Sequence, residues 1–122
     1  MKLDYLFDTN IFIYLINNRL ADSLPKGYYG CSIITEIELL SFPALTYEES
    51  NIIIEHLHTI TIIGLTEAIK QTTIVLRRKY RLKLPDALIV ATTIESNATL
   101  LTNDIALQKI DELQSLSLRI IH

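Results

Sequence analysis

Hydrophobic and polar positions along this chain alternate between two periods. Leu3 to Phe7 is a short apolar run of strand type, and Asp8-Thr9-Asn10 leads directly into a helical pattern that lasts through Ile16. Tyr28 to Ile33 reads as a second strand and Thr35 to Leu40 as the start of a helix. A helix is predicted from about Glu48 to His58, followed by a β-branched strand, Thr59 to Ile63, that ends at Gly64. Ile69, Thr73, Leu76 and Tyr80 fall on the i, i+4, i+7, i+11 stripe of a helix over 66–80. Pro85 then opens a helix from Asp86 to Glu95, at a position where its missing N–H costs nothing. Thr99 to Leu101 is a short strand, Ile105 to Lys109 one or two helical turns, and Leu116 to Ile121 a last strand.

Five strands separated by helices require crossover connections, and crossovers give a parallel sheet covered on both faces: an α/β fold. Such sheets bind ligands at the carboxyl ends of their strands, near the point where strand order reverses. No repeat, low-complexity tract or linker interrupts the pattern, so residues 1–122 read as one domain. A chain of 122 residues buries roughly two-thirds of its unfolded surface, enough for a core without staples. The lone cysteine, Cys31, has no intrachain partner and lies in an apolar run, so it is expected in the core. No apolar stretch approaches the ~20 residues of a membrane span, and Asp4 and Asp8 break any signal-peptide pattern. A cytoplasmic protein is the expectation.

The formal net charge of −3 hides an uneven distribution. Residues 1–67 sum to −6 and residues 86–122 to −3, whereas residues 68–85 sum to +6 through Lys70, Arg77, Arg78, Lys79, Arg81 and Lys83. An acidic body with one basic segment calls for an explanation. If the helix continues through residue 81, Lys70, Arg77 and Arg81 share one of its faces beside the apolar stripe. Charge runs are usually solvated surface, but Lys70, Arg77, Arg78 and Arg81 also suit a phosphate-rich ligand.

Asp8 ends the first strand, Glu38 lies in the first turns after the second, Asp86 is in the first turn behind Pro85, and Asp104 directly follows the Thr99–Leu101 strand. Each has a local explanation. Asp8 or Asn10 can cap the first helix; Thr35-Glu36-Ile37-Glu38 matches a capping box; Asp86 complements a helix dipole; Asp104 suits a cap or turn. Taken together they suggest a different role. In a doubly wound sheet these positions can converge, and convergent carboxylates repel one another unless a cation is present. Oxygen-only ligands select a hard cation, Mg²⁺ or Mn²⁺. His56 and His58, two apart on a helix, do not face each other and form no metal site.

Four segments, in order, resemble the motifs of the PIN-domain family. These are the strand ending in Asp8-Thr9-Asn10, the Ser32-to-Leu39 segment of pattern S-x-x-T-x-x-E-L, the Leu84-to-Ala91 segment around Asp86, and Leu100-Leu101-Thr102-Asn103-Asp104. One such motif is weak evidence; four in register across the whole chain, at the spacing of the compact toxin-type (VapC-like) members, are strong. The resemblance implies a three-layer α/β/α fold around a parallel sheet of about five strands. It implies Mg²⁺- or Mn²⁺-dependent hydrolysis of RNA phosphodiester bonds, with Asp8 and Asp86 the principal metal ligands, Glu38 and Asp104 completing the acidic cluster, and Thr9, Asn10 and Thr102 in support. It also implies a cognate antitoxin held against the nuclease. The helix after Asn10 (Ile11 to Ile16) is apolar nearly all round, which suits cover by a partner segment or by a second copy in a homodimer.

Two other classes share part of this pattern. A PIN-type nuclease serving RNA processing shares the motifs, but the chain carries no appended domain. A phospho-acceptor receiver domain shares the architecture and an acidic first strand end, yet needs an acceptor Asp after its third strand. Here Ile62-Ile63-Gly64-Leu65 offers none.

Overall fold

The computed structural model describes residues 2–122. Its elements run β1 (Tyr5–Phe7), α1 (Thr9–Ile16), β2 (Tyr29–Ser32), α2 (Ile33–Leu40), α3 (Tyr47–Leu57), β3 (Thr61–Ile63), α4 (Glu67–Tyr80), α5 (Leu84–Glu95), β4 (Thr99–Leu101), α6 (Ile105–Gln108) and β5 (Ser115–Leu116). The five strands form one all-parallel sheet in the order β3-β2-β1-β4-β5. Strand order therefore reverses beside β1, between the neighbours β2 and β4, and the crevice at the carboxyl ends of β1 and β4 is where a ligand is expected.

The period of two along each strand distributes side chains to two cores. Leu6 and Leu100 point to one face, where they pack with Ile69 and Leu76 of α4, Ile89 and Val90 of α5, and Leu107 of α6. Their chain neighbours Phe7 and Leu101 point to the other, with Ile11 and Phe12 of α1, Leu39 of α2, and Ile53 and Leu57 of α3. Cys31 lies fully buried in this second core, and burial pushes its thiol up to about 12. The stripe expected on α4 is the one found: Ile69, Thr73 and Leu76 are its buried residues. Gly30 sits where a Cβ would stand 2.8 Å from the Thr61 carbonyl oxygen and 2.9 Å from Leu3, so the close approach of β2, β3 and the Leu3 side chain requires its absence.

Several expectations are corrected. The last strand ends at Leu116 rather than running from Leu116 to Ile121. Beyond it, Asn103 takes the backbone of Leu118 through two reciprocal bonds of 2.8 Å, and Ile120 forms an isolated antiparallel bridge with Leu20. The capping box at Thr35 does not form. Ser32 caps α2 by accepting from the Ile34 amide, the helix starts two residues earlier, and Thr35 becomes an interior helical residue with no exposure. The reciprocal box forms instead at α3, between Thr46 and Glu49. Helix α4 stops at Tyr80, because Arg81 adopts a left-handed conformation (φ 57°) in the tight link to α5, so Arg81 leaves the face it was expected to share with Lys70 and Arg77. No helix among the described residues is long and apolar enough to cross a membrane.

Candidate functional site

The four carboxylates stand on different elements, and three of them, Asp8, Glu38 and Asp86, line one depression. Asp8 follows β1 and occupies the N-cap position of α1, yet its side chain makes no cap hydrogen bond, and it is 8% exposed. Its local role is therefore left to the backbone, whose carbonyl accepts from Phe12. The carboxylate accepts instead from the Thr102 hydroxyl at 2.6 Å, a bond that crosses from the end of β1 to the end of β4. Thr102 is fully buried, and its oxygen also accepts the Asp104 amide at 3.1 Å. Glu38, half-buried on α2, accepts from the Thr9 hydroxyl at 2.8 Å. Asp86 stands in the first turn of α5, behind the extended Lys83 cap and Pro85.

An open depression of about 420 Å³ brings Asp8, Glu38 and Asp86 together with Thr9, Asn10, Ile13, Ser41, Phe42 and Ile89. Asp104 is not in its wall. That side chain is exposed and caps α6, accepting from the Ala106 and Leu107 amides at 2.9 and 3.4 Å. The local explanation for Asp104 thus holds, while its charge still reaches the others. Burial raises the Asp8 carboxyl above the ordinary value; the Thr102 hydroxyl opposes the rise, and Asp104 and Glu38 add to it. Asp86 is raised by burial first, then by Asp8, Asp104 and Glu38, with Lys83 partly offsetting them. Both shifts describe a pocket that disfavours its own negative charge.

Such a pocket is relieved by a cation, and its donors are all oxygens. Among the described residues no three Asp, Glu, His or Cys side chains stand close enough to hold a metal ion by themselves. A hard ion such as Mg²⁺ does not require that, because it keeps several waters and takes one or two carboxylates directly. The donor chemistry therefore fits a hydrated hard divalent cation, which Asp8 and Asp86 would hold, and does not fit a soft or imidazole-liganded one.

The candidate basic residues lie apart from this depression. Lys70 pairs with Glu67 at 2.8 Å, Arg77 donates to the Leu82 carbonyl at 3.3 Å, and Arg78 and Arg81 are exposed. Arg77, Arg78 and Lys79 occupy the last turn of α4, where they also complement the helix dipole. Lys83, in sequence no more than the last of the basic run, is the cation whose charge acts on Asp86. Ser41 and Phe42, at and just past the C-terminal end of α2, line the depression as well, and nothing in their sequence pattern marks them. On α1, Ile11 and Phe12 are buried, and Ile13 to Ile16 are half-buried against the second core, so much of the helix's apolar surface is covered within the chain. The remainder, Ile13 and Ile16, lines an apolar groove of about 250 Å³ with Leu39, Phe42, Leu45, Ile52 and Ile53. Ile13 and Phe42 border both the groove and the acidic depression.

The model of the PIN domain matches residues 5–113. The fold is similar to a chain of a toxin–antitoxin complex from Klebsiella pneumoniae, with 32% identity over 90% of this chain and 95% of that one and a TM-score of 0.72. It is similar to a chain of VapBC-1 from nontypeable Haemophilus influenzae, at 27% identity, 94% and 98% coverage and a TM-score of 0.74. A chain of VapBC2 from Rickettsia felis, bound to a promoter DNA fragment, shares the fold at 21% identity, 96% and 100% coverage and a TM-score of 0.79. No curated protein matches the chain at a significant level.

Proposed function

The chain belongs to the PIN-domain family, and from that premise we propose that it is a Mg²⁺- or Mn²⁺-dependent endoribonuclease, the cytoplasmic toxin of a toxin–antitoxin pair. The observation that carries the nuclease reading is the electrostatic convergence of Asp8, Glu38, Asp86 and Asp104 beside the strand-order reversal, with Asp8 released from capping. Asp8 and Asp86 are the principal ligands, and Glu38 and Asp104 complete the acidic set. The Thr102 hydroxyl fixes the Asp8 carboxylate, Thr9 fixes Glu38, and exposed Asn10 borders the approaching substrate. A cation held by Asp8 and Asp86 would supply Lewis acidity toward the phosphodiester and acidify an attacking water. Without it, the carboxylates would repel a phosphodiester. The surface cations Lys70, Arg77, Arg78 and Arg81 then supply affinity that does not depend on sequence, leaving selectivity to RNA shape and unstacked bases. The test is incubation of the pure protein with a panel of transfer and ribosomal RNAs, with Mg²⁺, with Mn²⁺ and with EDTA. Cleavage in either cation that stops in EDTA is expected; cleavage that continues unchanged in EDTA removes the metal mechanism.

The toxin role rests on the 32% likeness to the Klebsiella complex and on the apolar groove that abuts the acidic depression. An antitoxin tail that folds on binding fills the groove with apolar side chains and reaches the carboxylates with an Arg or Lys. The active form is a homodimer, which analytical ultracentrifugation of the pure protein checks. Expression of the chain alone should be toxic, and co-expression with its genomic neighbour should relieve toxicity and yield a complex. If the lone protein is harmless while its RNA cleavage is intact, the toxin role falls and the nuclease reading stands.

A further inference from the structure

Four threonines of the helices are buried, and three of them behave alike. The hydroxyls of Thr73, Thr92 and Thr93 donate back to the carbonyls of Ile69, Leu88 and Ile89, four residues earlier, at 2.7, 2.6 and 2.9 Å. This is the ordinary way for a helical threonine to satisfy a buried hydroxyl. Thr35 does something else. It has no exposure, and among the described residues its hydroxyl has one hydrogen-bond partner, the hydroxyl of Thr9 at 3.0 Å.

The direction of that bond follows from the next one. A threonine hydroxyl carries one hydrogen, and Thr9 gives its own to Glu38 Oε1 at 2.8 Å. Its oxygen must therefore accept from Thr35. The hydrogen bonds run one way, from Thr35 through Thr9 to Glu38, and both bonds join α1 to α2. A valine at position 35 would have the same shape and no hydroxyl to satisfy, so the packing of α2 alone does not call for threonine. A polarised hydroxyl, moreover, donates more strongly to the carboxylate it faces.

We propose that Thr35 is a positioning residue that orients Glu38 through Thr9, so that the glutamate is held toward the cation site. The proposal rests on the reading that Glu38 belongs to a divalent-cation site. A partner of this kind typically changes metal affinity or activity by about 10- to 100-fold when removed. Thr35→Val, Thr35→Ser, Glu38→Gln and the double variant Thr35→Val with Glu38→Gln are compared with the wild type. Mn²⁺ affinity is measured by electron paramagnetic resonance titration, and metal-free stability by urea unfolding. Thr35→Val should weaken Mn²⁺ binding about tenfold or more, while its metal-free unfolding midpoint falls only slightly, by the loss of one neutral hydrogen bond. Thr35→Ser, which keeps the hydroxyl, should restore binding to within about threefold. In the Glu38→Gln background, Thr35→Val should add less than about twofold, because the group it orients is gone. Wild-type affinity in Thr35→Val, a Thr35→Ser as weak as Thr35→Val, or a full loss in the Glu38→Gln background each overturns the relay while leaving the nuclease reading intact. A wild type that takes up no Mn²⁺ and cleaves no RNA overturns the nuclease reading, and the relay with it.

Discussion

Replacing Thr102 by valine removes one hydroxyl and keeps the side-chain shape, at a position where that hydroxyl serves two bonds. It donates to Asp8 Oδ2 at 2.6 Å and accepts from the Asp104 amide at 3.1 Å, both at a residue with no exposure. A hydrogen bond to a charged group contributes about 1.5–3 kcal/mol, and a neutral one about 0.5–1.5 kcal/mol. Thr102→Val should therefore cost about 2–4 kcal/mol of metal-free stability at neutral pH. The sign of the pH dependence follows from Asp8. Its carboxyl is already raised in the folded state from the ordinary 3.8, and losing the opposing donor raises it further. Below 3.8 both folded and unfolded states hold the proton, so this group adds no penalty there. The penalty grows as pH rises through the folded-state value and is complete above it. Urea unfolding from pH 4 to 8 of the wild type, Thr102→Val, Asp8→Asn and the double variant measures both terms. In the Asp8→Asn background the cost of Thr102→Val should shrink by about 1–2 kcal/mol, since a neutral acceptor has replaced a charged one. A Thr102→Val within about 0.5 kcal/mol of wild type at pH 7, or a cost independent of Asp8, would refute the reasoning.

Three further outcomes are expected. Asp86→Asn should abolish cleavage yet match or exceed the metal-free wild type in stability; because the Asp86 pKa is raised on folding, its relative gain should increase from pH 4 toward pH 8 in the same unfolding series, and a loss of ~3–5 kcal/mol would mark Asp86 as a structural ion-pair partner instead. Replacing Arg77, Arg78 and Arg81 together with Ala should weaken RNA binding and flatten its logarithmic salt dependence by about 0.7–0.9 per lost phosphate contact, read by fluorescence anisotropy at several salt concentrations. The Cys31 thiol, buried and raised to about 12, should resist a thiol reagent in the native protein and react stoichiometrically in urea; rapid native labelling would contradict the packing of the second core.

The parts of the fold legible in the sequence are those set by local pattern. The α4 stripe shows in the sequence because Ile69, Thr73 and Leu76 all face one core, and β1 and β4 show because each is a short apolar run bounded by polar residues. Asp8, Asp86 and Asp104 stand out as candidates because each follows a strand or opens a helix, whereas Glu38, six residues into α2, stands out only through the S-x-x-T-x-x-E-L resemblance. What the sequence hid depends on partners distant along the chain. Leu116 to Ile121 has the composition of a strand, but Asn103, fifteen residues away, takes the Leu118 backbone and ends the pairing. Arg81 is compatible with a helix, and the reason it leaves one is the geometry of the link to α5. Thr35 resembled a cap because capping boxes and buried hydroxyl relays share residue types; that Ser32 had already capped the helix shows only in three dimensions.

The pairing of β1 with β4 has a kinetic consequence. The two strands that carry Asp8 and Thr102 are neighbours in the sheet, yet the residues joined by that hydroxyl–carboxylate bond are 94 positions apart in the chain. Closing so long a loop comes at an entropic cost that only the finished central sheet recovers, so contacts of this span form late in folding. A chain in which β4 has not yet joined β1 holds Asp8 without the Thr102 hydroxyl and without Asp104 nearby. On the nuclease reading proposed above, activity would then require the centre of the sheet to be complete.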